Sequence, residues 1–201
     1  MGREMATADQ SVELQPFGES DFDELIAAVP DAGFLLQWAG PQYVYPLDRR
    51  QLEETVAKTA GDNPSSRVYK AVLTATAGAS LPTVGHVQLL DIDRQYKSCV
   101  LGRVLILPEH RGKGLGRAMV GAALREAFDA LGLRDMTLAV FDFNEPAVRT
   151  YRGHGFVGLD HGAHEFGGET WGYTRMSLRA SAWRRPRRRG FLHWLRGSSS
   201  S

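Results

Sequence analysis

The residues of this chain that are most clearly spaced for chemistry are three glycines at alternate positions, in the segment Arg111-Gly-Lys-Gly-Leu-Gly-Arg117. An apolar run that stops at Pro108 precedes them, and an amphipathic segment begins at about Leu115. Glycines allow a tight backbone turn, and the start of a helix adds unpaired N–H groups and a partial positive charge. This order of strand, glycine loop and helix predicts a cradle for an anion such as pyrophosphate.

Two common nucleotide-binding motifs do not fit this loop. A P-loop needs a glycine at position 107 and Ser or Thr after the Gly-Lys pair, and the chain has Leu107 and Gly114 there. The dinucleotide fingerprint needs a third glycine where Arg117 stands. The pattern R-x-x-G-x-G, from Arg111 to Gly116, instead resembles the acetyl-CoA motif of the GNAT superfamily of N-acyltransferases.

A second segment, from Asn144 to Phe156, is similar to another GNAT signature, N-x-x-A-x-x-x-Y followed by Gly-Phe. Asn144 is a favourable N-cap, and Pro146 lies in the first turn, where its missing N–H costs nothing. The two signatures occur in the usual order, separated by one helix and one strand. Together they identify the chain as a member of the GNAT superfamily.

The resemblance implies an α+β (mixed α/β) fold, in which helices flank a central, splayed and mostly antiparallel sheet. We expect a flexible N-terminus over residues 1–10, a GNAT domain over 11–179 and a basic, flexible tail over 180–201. Patterning predicts a helix capped by Ser20 and ending at Val29, a connection over Phe34–Tyr45, and a second helix over Leu47–Lys58. It also predicts the following strands and helix: strands Val12–Pro16, Val68–Ala75, Thr83–Leu90, Val100–Leu107 and Met136–Phe143, a helix Leu115–Leu131, and a closing hairpin of His161–Phe166 and Thr170–Leu178.

The resemblance also implies direct transfer of an acetyl group from acetyl-CoA, as co-substrate, to an amine. The glycine loop would hold the pyrophosphate, and backbone groups of the preceding strand would pair with the pantetheine as a neighbouring strand does. Asn144 either bonds the pantetheine or only caps its helix. The cofactor-binding residues predicted on this basis are Leu105, Ile106, Leu107, Arg111, Gly112, Lys113, Gly114, Leu115, Gly116, Arg117 and Asn144.

Acetyl transfer needs a proton for the departing thiolate and a neutral amine for the attack. We predict that Tyr151 is the acid, because it shares a helix face with the small Ala147, which leaves room for the cofactor beside the phenol. Tyr151 could instead only pack. Many GNAT members carry a glutamate on the strand before the glycine loop, but this strand has no acid, so the base stays open among His86, Asp91, Asp93 and Asp142.

The acceptor is expected to meet the segment from Gln37 to Tyr45, because the resemblance places the first connection between helices over the amine side of the cleft. Trp38 and Tyr45 are the predicted substrate-binding residues; aromatic rings there suit an alkyl amine or a cation, or belong to the core. His161, His164 and Glu165 lack the remaining ligands of a recognised metal site, so no metal is expected. Cys99 lacks a nucleophile motif and is expected to be a small buried residue.

The C-terminal 22 residues differ in composition from the rest of the chain. They contain six of the 24 lysines and arginines and no acidic residue, which leaves 18 basic against 23 acidic residues before them. Tryptophan, phenylalanine and leucine interleave with these arginines, a pattern that suits contact with an anionic membrane, nucleic acid or the acidic body, or a solvated tail. The single cysteine, the absence of an apolar signal segment and the absence of a long apolar run predict a cytoplasmic protein.

The sequence therefore predicts an acetyl-CoA-dependent N-acetyltransferase that acts on a primary amine. A small-molecule amine is favoured as acceptor over a protein N-terminus or a lysine, and a homodimer stays open. The alternative is a non-catalytic acyl-CoA-binding regulatory module with a polyanion-binding tail.

Overall fold

The computed structural model describes residues 11–74 and 82–183. These ranges contain seven strands and five α-helices. The strands are β1 (Val12–Pro16), β2 (Arg67–Leu73), β3 (Thr83–Asp93), β4 (Ser98–Ile106), β5 (Asp135–Phe141), β6 (Val157–Phe166) and β7 (Glu169–Arg179). The helices are α1 (Phe22–Ala27), α2 (Ala32–Ala39), α3 (Arg49–Ala57), α4 (Leu115–Arg125) and α5 (Glu145–His154).

All seven strands form one sheet in the order β1-β2-β3-β4-β5-β7-β6. Only the β4–β5 pair is parallel; it joins Ser98–Val100 to Asp135–Thr137 and then ends, so the two strands separate towards their carboxyl ends. The other neighbours pair in antiparallel fashion. The predicted α+β class, with a splayed and mostly antiparallel sheet, is confirmed.

Two hydrophobic cores lie on the two faces of this sheet. On one face, α4 and Tyr151 of α5 pack against β3, β4, β5 and β7. On the other face, α1, α2 and α3 pack against Val68, Leu105 and Leu107. Strand β4 contributes to both cores, because Cys99 and Leu101 face α4, whereas Leu105 and Leu107 face α1–α3. An irregularity in the β3–β4 register between these pairs accounts for the change of face.

Four predicted elements differ from those observed. The first strand of the closing hairpin, β6, begins at Val157, four residues before the predicted His161. Ser20 lies inside a 3₁₀ turn over Glu19–Asp21, and the N-cap of α1 is Asp21. The segment 34–45, predicted as a connection, contains most of α2, which begins after Asp31, whose carboxylate accepts the Phe34 N–H at 2.7 Å. Helix α4 ends at Arg125 and continues as a π-helical turn over Glu126–Ala130, so the predicted helix is regular only in its first part.

The described part of the chain extends four residues past β7. Trp183 is buried in the α4-side core, where its ring lies 5.7 Å from that of Phe128. The first residues of the predicted tail therefore pack on the body. The boundary at 179 stays a prediction, and the predicted N-terminal arm (1–10) and the rest of the predicted tail (184–201) lie outside the described residues. None of the helices within the described ranges is long and apolar enough to cross a membrane.

The close approach of β3 and β4 depends on Gly85. A Cβ on this residue would lie 2.3 Å from the Leu105 carbonyl oxygen and 3.1 Å from both the Ile106 side chain and the Met119 sulfur. We expect Gly85→Ala to lower the free energy of unfolding by about 2–3 kcal/mol, because backbone oxygen cannot move aside without separating the strands. Denaturant unfolding measures this change. Gly18→Ala is the matched control: no atom lies within 4 Å of its Cβ position, so its stability should change little.

Candidate active site

The edge of the sheet where β4 and β5 separate is the centre of the candidate site. Because these two strands are parallel, their carboxyl ends meet at the same edge. The chain leaves β4 through the glycine loop into α4, and it leaves β5 through Asn144 into α5. The two segments with GNAT-like spacing therefore start side by side, on either side of an open gap in the sheet.

The glycine loop has the backbone geometry of an anion cradle. Gly112 and Gly114 have φ angles of 75° and 77°, a region that residues with a side chain rarely adopt. Gly114 is the N-cap of α4, and its carbonyl accepts the N–H groups of Arg117 and Ala118. In the part of the chain that the structure describes, the N–H groups of residues 112–116 donate to no backbone carbonyl. This row of free donors at a helix N-terminus suits a phosphate group.

The end of β4 offers one further backbone donor to the gap. The Leu107 N–H donates to Val84 on β3 at 3.0 Å. Because successive N–H groups of a strand point in opposite directions, the Ile106 N–H points away from β3 and into the gap. The Ile106 carbonyl already accepts the Arg111 Nε at 3.0 Å. Ile106 is thus the residue of the predicted trio whose N–H points into the gap, and the Leu105 and Leu107 side chains belong to the core.

The charged residues of the loop are placed differently from one another. The Arg111 guanidinium lies over the Phe34 ring of α2, 5.6 Å from its centroid, and Lys113 donates to the Glu109 carbonyl. The guanidinium of Arg117 lies against α5, because a Cβ on Gly153 would be 2.6 Å from its Nη1. The Arg117 carbonyl also lies 2.9 Å from the His154 ring. These contacts hold the start of α4 and the end of α5 together beside the cradle.

Asn144 caps α5, since its side-chain oxygen accepts the Ala147 N–H at 3.4 Å. The capping role is the one of its two predicted roles that the contacts support. The helix ends in a left-handed residue, Gly155, with a φ of 99°.

Tyr151 lies on the face of α5 that packs against α4. It is buried, and its ring meets Phe156 edge-on at 5.8 Å between centroids. Among the described residues no hydrogen-bond partner of its hydroxyl is found. Burial raises the pKa of Tyr151 well above its ordinary value, which keeps the phenol protonated at neutral pH. A protonated, unpaired phenol is a suitable proton donor.

The four candidate bases lie in different surroundings. Asp91 is exposed, Asp93 accepts the Tyr96 N–H within a turn, and Asp142 accepts the Thr174 hydroxyl at 2.7 Å on the α5 side. His86 lies opposite Leu105 on β3, in the core under α1–α3. Burial, with Arg103 nearby, lowers the pKa of His86 to about 3, so its imidazole is neutral. The base stays unidentified.

The two predicted acceptor-binding residues lie in different surroundings. Trp38 on α2 is buried, and its ring lies 5.7 Å from that of His86. Tyr45 is 45% exposed, and its hydroxyl donates to the Pro30 carbonyl. Both remain predictions as substrate residues.

Sequence reasoning missed an aromatic cluster on the splayed half of the sheet. Trp171 of β7 has three aromatic neighbours with centroids within 5.4 Å: Phe141, Phe143 and Phe166. Phe143 is 51% exposed, and a Cβ at Gly33 of α2 would contact Phe166 and Trp171. The cluster therefore lies beside the start of α2. Its members come from three strand ends, so only the strand register could have revealed it.

Comparisons with known proteins agree with this geometry. The family model described as Acetyltransferase (GNAT) family matches residues 33–156. A spermidine N(1)-acetyltransferase of Vibrio cholerae is 33% identical over 116 residues, which cover 58% of this chain and 63% of that protein. The corresponding protein of Escherichia coli is 33% identical over 82 residues, which cover 41% and 44%. This chain thus spans less than two thirds of the length of the curated relatives it matches.

Solved structures give a similar result over more of the chain. The spermidine N-acetyltransferase of Vibrio cholerae in complex with CoA and spermine has a TM-score of 0.72 and 26% identity, covering 86% of this chain and 97% of that one. A dodecameric structure of the same enzyme in an intermediate state has a TM-score of 0.65 at 26% identity.

Proposed function

The chain belongs to the GNAT acetyltransferase family, and from this we propose that it transfers the acetyl group of acetyl-CoA to a primary amine of a small molecule. The observation that carries the proposal is the row of free N–H groups over residues 112–116, beside the free Ile106 N–H. Such an arrangement suits a long ligand with a phosphate end and an amide-bearing arm, which is the chemistry of CoA. Relatives named for amine acetylation support the same reaction.

Each part of the site would have a separate role in acetyl transfer. The cradle would hold the pyrophosphate, and the Ile106 N–H would bond the acetyl carbonyl or the neighbouring pantetheine amide. The amine would enter from the α2 side, past the aromatic cluster around Trp171. Tyr151 would donate its proton to the departing sulfur. As the neutral amine bonds to the acetyl carbon and the carbon–sulfur bond breaks, the amine loses a proton to solvent, and the Tyr151 phenolate regains a proton from solvent.

The non-catalytic alternative is not favoured, because the relatives are named as enzymes. The cytoplasmic location and the homodimer stay predictions. A dodecamer is described for the Vibrio cholerae enzyme, so assembly of this chain into oligomers is a reasonable proposal to examine by light scattering.

An acceptor screen tests the proposed reaction. The purified chain is mixed with acetyl-CoA and with spermidine, diamines, monoamines, amino acids or peptides, and free CoA is measured together with the mass of the product. We expect release of CoA that depends on the added amine, and an acceptor heavier by one acetyl group. Binding of acetyl-CoA without amine-dependent release for any acceptor would support the regulatory module instead.

We also propose that the arginine-rich tail governs association rather than chemistry. Because Trp183 packs in the core, the truncation that tests this ends after Trp183, not after Arg179. The shortened chain should keep its turnover on a small amine and lose salt-sensitive binding to anionic vesicles or nucleic acid. Co-sedimentation and gel-shift assays at two salt concentrations measure the binding. Loss of activity in a chain that binds neither polyanion at full length would contradict the proposal.

A further inference from the structure

A buried polar cluster that the proposed reaction does not use lies between the sheet and α2 and α3. It consists of Arg103 of β4, His86 and Gln88 of β3, Trp38 of α2 and Tyr43, which follows α2. Their exposed fractions are 9%, 2%, 0%, 8% and 8%. The Arg103 guanidinium lies over the Tyr43 ring, 4.3 Å from its centroid, and the Trp38 ring lies 6.1 Å from that of Tyr43. We call this group the Arg103 cluster.

Two hydrogen bonds within the Arg103 cluster fix the orientation of the Gln88 amide and the tautomer of His86. The Arg103 Nη1 donates to the Gln88 side-chain oxygen, so the Gln88 amide nitrogen faces His86 and donates to its Nε2 at 2.8 Å. The His86 Nε2 is therefore an acceptor, and the proton of the neutral ring is on Nδ1. His86 is thus a donor to any ligand and has no free lone pair with which to act as a base.

The cluster has unused donors and an uncompensated charge. Among the described residues, five buried side-chain nitrogens have no hydrogen-bond partner, and three of them are in this cluster: Arg103 Nε, His86 Nδ1 and Trp38 Nε1. No carboxylate in the described ranges lies within 4.0 Å of Arg103; Asp91 acts on it only at longer range. Burial of a charge and of unpaired donors is costly without a partner. Three buried donors without an acceptor leave the cluster unsatisfied, and an anionic group would relieve this cost.

The backbone of Arg103 is strained in a way that keeps its side chain in the cluster. Its φ is 51°, a left-handed value that is uncommon for residues other than glycine. The residue lies at the register shift of β3–β4, where the chain changes the face to which its side chains point. A glycine here would remove the strain. Asp91 and Lys97 have similar φ values, so the strain supports a ligand site only together with the unpaired donors.

We propose that the Arg103 cluster binds a carboxylate of the acceptor, so that the acceptor is a primary amine that also carries an acid group. The inference rests on the proposed acetyl transfer. A guanidinium suits a carboxylate because it can donate two parallel hydrogen bonds. A polyamine such as spermidine would instead bring further positive charge towards an uncompensated arginine.

The positions along β4 also define the length of the acceptor. Arg103 and Ile106 are three residues apart on β4; a regular strand spans roughly 10 Å over this distance, and the irregularity at Arg103 makes that an upper limit. With the amine at the acetyl group beside Ile106, the carboxylate lies several carbon atoms away. The acceptor class is therefore an ω-amino acid, or an amino acid whose side-chain amine reacts, and not an α-amine next to its own carboxylate.

A matched pair of acceptors tests this inference. 6-Aminohexanoate and hexylamine differ only in the carboxylate, and cadaverine adds a second amine instead. We expect kcat/KM, measured by CoA release, to be on the order of 10² higher for 6-aminohexanoate than for the other two. Arg103→Met, of similar length but uncharged, should remove most of this ratio. Arg50→Met is the control, since Arg50 is an exposed arginine paired only with Glu54, and it should leave the ratio unchanged.

The outcomes separate the two proposals. A preference for hexylamine or cadaverine, or an equal loss for all acceptors in Arg103→Met, would overturn the carboxylate site and leave the acetyl transfer intact. Absence of CoA release with every amine would overturn the acetyl transfer itself. If Arg103→Met does not fold, Trp38→Phe decides the matter, because it keeps an aromatic side chain, loses the indole N–H together with part of the ring volume, and should lower the ratio by roughly tenfold. An unchanged ratio in Trp38→Phe would then count against the site.

Discussion

Replacing Tyr151 by phenylalanine should lower turnover on the order of 10²-fold or more and leave the affinity for acetyl-CoA nearly unchanged. This is the range for loss of a positioned acid that acts in the transition state. The ring contact with Phe156 is kept in the variant. Because no hydrogen-bond partner of the hydroxyl is found among the described residues, its removal leaves no buried group unpaired, and the stability should not fall.

Steady-state kinetics with a saturating amine measure the effect, and calorimetry measures acetyl-CoA binding. Tyr96→Phe is the control, since Tyr96 is 73% exposed in the turn between β3 and β4. The raised pKa of Tyr151 adds a second expectation: because the protonated form is the acid, the rate should not decline on its account below the ordinary tyrosine pKa of about 10. Turnover near that of the unchanged chain would mean that Tyr151 only packs.

Replacing Gly114 by valine should abolish acetyl-CoA binding while the protein stays folded. The φ of 77° at this position disfavours a β-branched residue, and the start of α4 would have to rearrange to relieve the strain. The free N–H groups of the cradle would then no longer point at one ligand. Gly116→Val is expected to have the same effect by bulk alone, since its φ is not left-handed and its Cβ position only contacts Ile106 at 3.6 Å.

The control for backbone strain is Gly61→Val. Gly61 has a φ of 87° and no atom within 4 Å of its Cβ position, and it lies between α3 and β2, away from the cradle. The stability of the Gly61→Val variant should fall as that of Gly114→Val does, but the variant should keep its affinity for acetyl-CoA. Unchanged calorimetric affinity in both Gly114→Val and Gly116→Val would contradict the proposed cradle.

The parts of the fold that could be predicted from the sequence are those fixed by neighbours in the chain. The glycines at 112 and 114 need left-handed angles, and Asn144 and Gly155 begin and end α5, so spacing alone located these elements. Helix α2 was missed because its short, apolar segment is followed by Gly40-Pro41, which indicates a turn. Its signal was Asp31, whose carboxylate caps the helix at Phe34.

The parts that could not be predicted depend on which strands become neighbours. Arg103 and Gln88 are 15 residues apart, and their contact follows from the β3–β4 register and its irregularity. In the sequence, Arg103 looks like an ordinary charged residue within a strand. The regular alternation of strand side chains would place it on the α4 side, with Cys99 and Leu101. Trp171 contacts Phe141 and Phe143 because β7 pairs with β5 as well as with β6, the strand that precedes it in the chain.

The single cysteine of the chain has a practical consequence for every rate measurement proposed above. Cys99 is 3% exposed, and burial raises the pKa of its thiol to about 12. A thiolate is the reactive form of cysteine, so this side chain neither takes up an acetyl group nor reduces a disulfide reagent at neutral pH. Initial rates should therefore give intersecting rather than parallel double-reciprocal lines. A chromogenic thiol reagent added to the folded enzyme should report released CoA without a protein background until the chain unfolds, when one further equivalent of thiol becomes visible.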